Sequence, residues 1–154
     1  MNIKSNSKSD QNWITEYLTD LWGSTDIYLP NGQYDASALP AFYTEDKEVV
    51  LTYNFSDRFD IVTFNIPYGY DQKPIDELIA ALKQEAQANA FGEIYATTTN
   101  DNLDLMGYLQ RTGFRFHKIY PCAIDQSREK HNAIPEMGRN DIPMRDEIEF
   151  MLKA

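Results

Sequence analysis

The stretch Thr97-Thr98-Thr99-Asn100-Asp101-Asn102-Leu103-Asp104-Leu105-Met106-Gly107-Tyr108-Leu109-Gln110-Arg111-Thr112-Gly113-Phe114 decides how this 154-residue chain is read. It continues a run that starts at Glu93 (EIYATTT), rich in β-branched and aromatic residues, as a strand requires. Asn100 or Asp101 can cap a helix, because a short polar side chain accepts from the free N–H groups of the first turn. Gly113 ends that helix, since glycine enters the left-handed region without steric cost. Residues 114–120 then form another strand.

Toward the N-terminus, Gly92 is expected to close a helix over residues 74–89. Pro74 suits a first helical turn, and Ile75, Leu78, Ile79 and Leu82 make its apolar stripe. Pro67-Tyr68-Gly69-Tyr70 is a loop. Residues 47–55 (KEVVLTYNF) and 59–66 (FDIVTFNI), joined by Ser56-Asp57-Arg58, form the strongest hairpin in the chain. Asp60 shares a face there with Val62, Phe64 and Ile66, and the ordinary reading of an acid at a strand end is exposure to water. Pro40 opens a short apolar piece over 41–43, and residues 26–29 read as a short strand before the turn Pro30-Asn31-Gly32.

Asp10 caps a helix through Trp22, with Trp13, Ile14, Tyr17, Leu18, Leu21 and Trp22 at three-four spacing and Gly23 as its stop. Residues 1–9 read as a flexible tail. Toward the C-terminus a long polar loop, with one helical turn near 127–131, leads to an alternating strand over 146–152. Ile148, Phe150 and Leu152 stand there against Glu147, Glu149 and Met151.

This order predicts a single domain over 1–154 of the α/β (α+β) class. One mixed, mostly antiparallel central sheet of about six to seven strands would be flanked by helices. The strand-helix-strand-helix-strand order over 59–120 implies a locally parallel stretch with right-handed crossovers.

Hydrophobic residues make up 42% of the chain, enough to bury a core. The 24 acidic residues against 14 basic ones leave a net charge of -10, which repels nucleic acid and anionic membranes. The acids gather over 71–104 and the basic residues over 111–131. Cys122 is the only cysteine, so no internal disulfide forms, and no spacing of His and carboxylates suggests a catalytic metal. The N-terminus lacks the apolar core of a signal peptide, and no run approaches the ~20 apolar residues of a membrane helix. A cytoplasmic location is the expectation, and a homodimer is compatible with it.

The order strand ending in Thr-Asn, short helix, aromatic, Gly-Phe and strand resembles the second half of the GNAT acetyltransferase superfamily. Trp22-Gly23-Ser24-Thr25, Asp35-Ala36 with Leu39-Pro40-Ala41-Phe42, and Asp141-Ile142-Pro143-Met144-Arg145-Asp146-Glu147-Ile148-Glu149 extend the likeness to one bacterial group, from about Trp13 onward. The resemblance implies transfer of an acetyl group from acetyl-CoA to an amine of a small molecule or peptide. It puts a base at Asp60 and an acid at Tyr108, with backbone N–H groups polarising the thioester carbonyl. It puts cofactor contacts at Phe64, Ile66, Gln72, Lys73, Asn100 and Asn102.

Two features depart from the family's pattern. The pyrophosphate loop corresponds to Tyr70-Asp71-Gln72-Lys73-Pro74-Ile75-Asp76, where Gln72 stands in for the opening residue, no glycine follows, and Pro74 has no N–H. The usual tyrosine position, four residues before Gly113, holds Leu109; Tyr108 is its neighbour, about 100° around the helix. These departures define an alternative, a GNAT-fold protein without catalysis that serves as a binding or interaction module. The helix-start asparagine Asn102 also reads as a simple cap. His117, His131 and Cys122 read as bystanders, since no neighbour in sequence orients or activates them. Arg145-Asp146-Glu147 reads as a pin for the last strand, although a line of acids can also attract a cationic amine.

Overall fold

A computed structural model describes residues 2–5, 8–131 and 133–154. It divides into two compact units, Met1–Ile94 with Ala154, and Tyr95–Lys153.

In chain order the first unit holds β1 (Asn2–Ser5), α1 (Lys8–Trp22), β2 (Asp26–Leu29), β3 (Gly32–Asp35), β4 (Ala41–Thr44), β5 (Val50–Phe55), β6 (Phe59–Phe64) and α2 (Gln72–Ala88). Four of its strands lie in the order β1-β4-β5-β6 with antiparallel pairing throughout, and β2 and β3 form a separate hairpin. Residues 2–5, expected in a flexible tail, are thus a strand paired with β4. Residues 1, 6 and 7 of that tail lie outside the described residues.

The α1 stripe buries only its middle. Ile14 and Leu18 join Ala36, Ala41, Tyr43 and Val50 in one apolar cluster, with Trp13, Tyr17 and Ile27 packed against it. Leu21 and Trp22, at the end of the stripe, are exposed. Asp10 lies inside α1 and does not cap it; its Oδ1 accepts from the Trp13 indole at 3.1 Å and the Tyr43 hydroxyl at 3.2 Å. Apolar rings fill the layer between the hairpin strands and the end of α2. Tyr53 stacks on Phe42 and Phe59, and Phe55 and Phe59 both meet Phe91.

The register of β5 on β6 slips by one residue, from Thr52↔Thr63 to Tyr53↔Ile61. Val62 is therefore surplus, and strict alternation along β6 is broken, as a bulge requires. Asp60 and Phe64 do not simply share a face as the sequence pattern suggests. The α2 stripe matches expectation, with Ile75, Leu78, Ile79 and Leu82 buried and Ala86 added to them. Gly92 does not end this helix. Ala90 takes the left-handed turn at φ 65°, and the Phe91 and Ala90 amides donate back to Ala86 and Gln87 carbonyls at 2.9 and 3.1 Å. That is a Schellman closure with alanine in the position glycine favours.

The second unit holds most of β7 (Glu93–Thr99), then α3 (Leu103–Arg111), β8 (Arg115–Tyr120), α4 (Ala123–Lys130) and β9 (Glu147–Lys153). Its strands are ordered β7-β9-β8, and β8 pairs antiparallel with β9. The last strand inserts between β7 and β8, so those two are not the parallel neighbours that the chain order suggests. The expected helical turn near 127–131 is a longer helix that begins at Ala123. Leu105, Tyr108 and Leu109 are the buried face of α3. The Phe114 amide donates to the Leu109 carbonyl at 2.9 Å, and Gly113 makes the turn between them at φ 105°.

Both units carry the mixed strand-and-helix content of the expected fold class. Among the described residues no helix is long and apolar enough to cross a membrane.

Candidate active site

Asp60 begins β6, and the expectation of a water-exposed strand end fails there: the residue is 3% exposed. Arg58, two residues earlier, turns back on it. Its Nε donates to both carboxylate oxygens at 3.0 and 3.1 Å, and its Nη2 donates to Oδ1 at 2.7 Å. The tip of the β2–β3 hairpin adds Asn31, whose Nδ2 donates to Asp60 Oδ2 at 3.2 Å and to the Tyr34 hydroxyl at 3.1 Å. Burial and then the Asp60 charge raise the Tyr34 pKa. This is a small polar cluster built from the β2–β3 turn, β3 and the start of β6. Both oxygens of this carboxylate are thus occupied by donors. As a base it would have to exchange one of these donors for an acceptor amine or a water.

The cofactor candidates of the first unit follow directly along the chain. Phe64 is buried at the end of β6, and Ile66 is half-buried in the next loop. Gly69 turns there at φ 74° with open space around it. Gln72 and Lys73 are both exposed in the first turn of α2. The helix cap is Asp71, whose side chain accepts from the Lys73 amide at 3.3 Å. One amide of this turn is thus taken by a carboxylate, and Pro74 offers none. The Gln72 amide and the Lys73 ammonium remain for a phosphate.

In the second unit, Asn100, Asn102 and Tyr108 sit along one short path. Asn102 caps α3 by accepting from the Leu105 amide at 3.4 Å. Asn100 is a clamp on the following loop. Its Oδ1 accepts from the Arg145 and Asp146 amides at 2.9 and 3.1 Å, and its Nδ2 donates to the Pro143 carbonyl at 2.9 Å. Tyr108 is buried, at 2% exposure.

Neither Asn100 nor Asp101, the expected caps, holds the cap position of α3, which falls to Asn102. Asp101 is 3% exposed and accepts from the Thr99 hydroxyl and from the Arg139 amide at 2.7 Å. Its own carbonyl accepts from Asn140 at 3.1 Å. Gly138 lies so close that a Cβ there would meet the Asp101 carboxylate and, at 2.5 Å, the Met144 side chain.

The last strand overturns another expectation. Glu147 and Glu149, assigned to the face opposite Ile148, Phe150 and Leu152, are buried at 5% and 2% exposure. Burial pushes the Glu147 carboxyl up to about 7. His117 comes within 3.8 Å of Glu149 and meets the Tyr95 ring edge-on at 5.2 Å. Among the described residues no group of three His, Cys, Asp or Glu is placed to hold a metal ion.

Known folds show the same arrangement of elements. The structure aligns over its whole length with an IAA acetyltransferase from Bacillus cereus ATCC 14579, at TM-score 0.71 and 14% identity, and covers all of that chain too. It aligns with a Bacillus subtilis acetyltransferase in complex with CoA at TM-score 0.62 and 16% identity, covering 99% of this chain and 97% of the other. A GNAT family acetyltransferase from Elizabethkingia anophelis with acetyl-CoA bound gives TM-score 0.62 and 14% identity over 100% and 97%.

The chain has the GNAT acetyltransferase fold.

No family model matches the sequence. Two uncharacterized proteins of Bacillus subtilis (strain 168) are similar to this GNAT-fold chain along nearly all of it. YdhI is 26% identical over 97% of this chain and 96% of its own, and YxbD is 25% identical over 96% of each.

Proposed function

We propose that this chain is an acyltransferase that moves an acetyl group from acetyl-CoA to an amine of a small molecule or peptide. The observation that supports it is the likeness of the whole chain to acetyltransferases, two of which hold CoA or acetyl-CoA. The donor supplies a thioester carbonyl open to direct attack by an amine, with no covalent enzyme intermediate.

In this reading Lys73 and the Gln72 amide hold phosphate oxygens of the donor. Phe64 and Ile66 give it an apolar wall, and Asn102 keeps α3 started at its own end. Asp60 takes the proton that the acceptor amine sheds, directly or through a water. Arg58 and Asn31 orient its carboxylate until then. The Tyr108 hydroxyl gives a proton to the departing thiolate. Backbone N–H groups polarise the carbonyl under attack, as preorganised donors do wherever an oxyanion develops. The register slip at Val62 leaves that residue outside the β5 ladder and makes its amide one candidate.

The test is calorimetry and thermal shift with acetyl-CoA, followed by an amine screen for CoA release. A ligand held at 100 times its dissociation constant raises stability by ~2.7 kcal/mol. Absence of any shift at millimolar acetyl-CoA refutes the proposal. Binding with no transfer to any amine favours the binding-module alternative instead. Turnover unchanged in Asp60→Ala removes Asp60 from the mechanism.

A further inference from the structure

The loop from β6 to α2, Asn65-Ile66-Pro67-Tyr68-Gly69-Tyr70-Asp71, holds one glycine and leads straight into Gln72 and Lys73. Part of it is a local turn. The Tyr70 amide donates to the Pro67 carbonyl at 3.1 Å, and Gly69 supplies the positive φ of 74°. Such a turn fixes its own shape but not its place in the molecule. Tyr70 supplies the place. Its hydroxyl reaches the β4–β5 turn and donates to the Asp46 carboxylate, 2.9 and 2.8 Å from the two oxygens.

Asp46 is itself held. Its Oδ1 accepts from the Thr44 hydroxyl at 2.6 Å and from the Glu48 amide at 3.0 Å. Thr44, at the end of β4, is 2% exposed, and its hydroxyl oxygen accepts from the Val49 amide at 3.1 Å. The turn is also tied to α1. The Tyr17 hydroxyl donates to the Glu48 carbonyl at 3.0 Å, and Lys47 Nζ lies 4.9 Å from the centre of the Trp13 ring. Hydrogen bonds, that of the Thr44 hydroxyl first, hold the Asp46 carboxyl below its ordinary range, so the bond from Tyr70 is charge-assisted at neutral pH.

A loop that becomes ordered only on binding weakens its ligand by the freedom it loses. A glycine-rich loop wraps a phosphate in a run of amides. In this chain Asp71 takes one amide of the first turn and Pro74 has none, so the grip rests on two groups whose positions must be set beforehand.

We propose that Tyr70 and Asp46 form a strut that positions the donor grip: the bond between them sets where α2 begins, and with it where the Gln72 amide and Lys73 stand. Both are positioning residues, acting on the donor through Gln72 and Lys73. This rests on the acyltransferase reading and adds the residues that order its donor site in advance. The sign of the effect sets the strut apart from plain charge repulsion. A carboxylate near a polyanionic donor repels it, so loss of the Asp46 charge alone would tighten binding. The strut requires the reverse.

The probe is acetyl-CoA, titrated calorimetrically into the full chain and its variants. Tyr70→Phe, which loses one oxygen atom, is expected to weaken binding about tenfold, and Asp46→Ala to do the same. The double variant is no weaker than either single one, because both remove the same bond. Tyr68→Phe, which takes a hydroxyl from a 98% exposed side chain of the same loop, leaves affinity unchanged. In turnover with a responsive amine the loss falls on the KM for acetyl-CoA, with kcat and the KM for the amine as in the parent, a split that a general loss of stability does not give. If Asp46→Ala unfolds, Tyr70→Phe carries the test alone. Parent-like affinity in Tyr70→Phe, tighter binding in Asp46→Ala, or additive losses in the double variant overturns the strut and leaves the acyltransferase reading standing. A parent that binds no acetyl-CoA refutes that reading and the role of the strut with it.

Discussion

Asn100 and Asp146 hold each other twice: the Asn100 amide donates to the Asp146 carbonyl at 3.0 Å, and the Asp146 amide donates to Asn100 Oδ1 at 3.1 Å. Two residues far apart in the chain are locked where β7 ends and β9 begins. The same asparagine holds Pro143 and Arg145, so one side chain fixes the entry into the strand that carries Glu147 and Glu149.

Asn100→Ala removes three side-chain hydrogen bonds and leaves two amides and a carbonyl to find water. The half-buried setting moderates the loss, and about 1–3 kcal/mol of stability is expected to go. Urea denaturation measures this, and faster hydrogen exchange at the Arg145 and Asp146 amides should accompany it. Unchanged exchange there means that the loop is held by other contacts.

Arg58 and Asp60 form a charge pair with one partner enclosed and the other partly in water. Arg58→Ala strands the enclosed carboxylate and is expected to cost about 1–3 kcal/mol, less than a fully buried pair would. Asp60→Asn leaves a cation that can turn outward, so it should cost less. Chemical denaturation of the two variants checks the order, and a larger loss in Asp60→Asn contradicts it.

Glu147 imposes a pH dependence whose sign follows from its raised pKa. A free glutamate ionises near 4.5 and this one near 7, so the folded chain keeps a proton that the unfolded chain sheds between those values. Its favourable contribution is complete below about pH 4.5. It is lost as pH rises to about 7, a change of up to ~3 kcal/mol. Glu147→Gln abolishes the dependence. Its Tm relative to the parent should climb from pH 5 to pH 8 and level off, and a difference that stays flat over that range removes the premise.

Ala90 closes α2 in the left-handed region at φ 65°. The Cβ of any L-residue is strained there, by about 1–2 kcal/mol, and glycine is not. Glycine also gains entropy in the unfolded chain, which offsets part of the benefit. Ala90→Gly is therefore expected to raise stability by about 0.5–1 kcal/mol, read as a higher denaturation midpoint with the same slope. A lower midpoint means that Ala90 packs better than its strain costs.

Much of the fold was legible in local pattern. The α2 stripe, the hairpin of β5 and β6, and the strand-helix-strand of β7, α3 and β8 all follow from spacing, turn residues and caps that lie within a few positions of each other. What misled the reading was geometry that a residue pattern does not carry. The exposure expected at Asp60 is cancelled by Arg58 folding back and by the distant Asn31. The glycine at position 92 looks like the natural stop for α2, yet the chain turns at Ala90 because the Phe91 amide reaches Ala86 first. The alternation at the C-terminus sets Glu147 and Glu149 apart from Ile148, Phe150 and Leu152, yet both glutamates are buried as well.

The sequence by itself determined the class of the fold, the order and type of its main elements, its charge and the family it resembles, because periodicity and capping are properties of neighbours along the chain. Only the tertiary structure decided that β9 inserts between β7 and β8, that Asp60 is paired, and that Glu147 is buried. Those facts depend on which strand lies beside which and on the register between them. The free energy that selects a register comes from contacts between residues that no local pattern brings together.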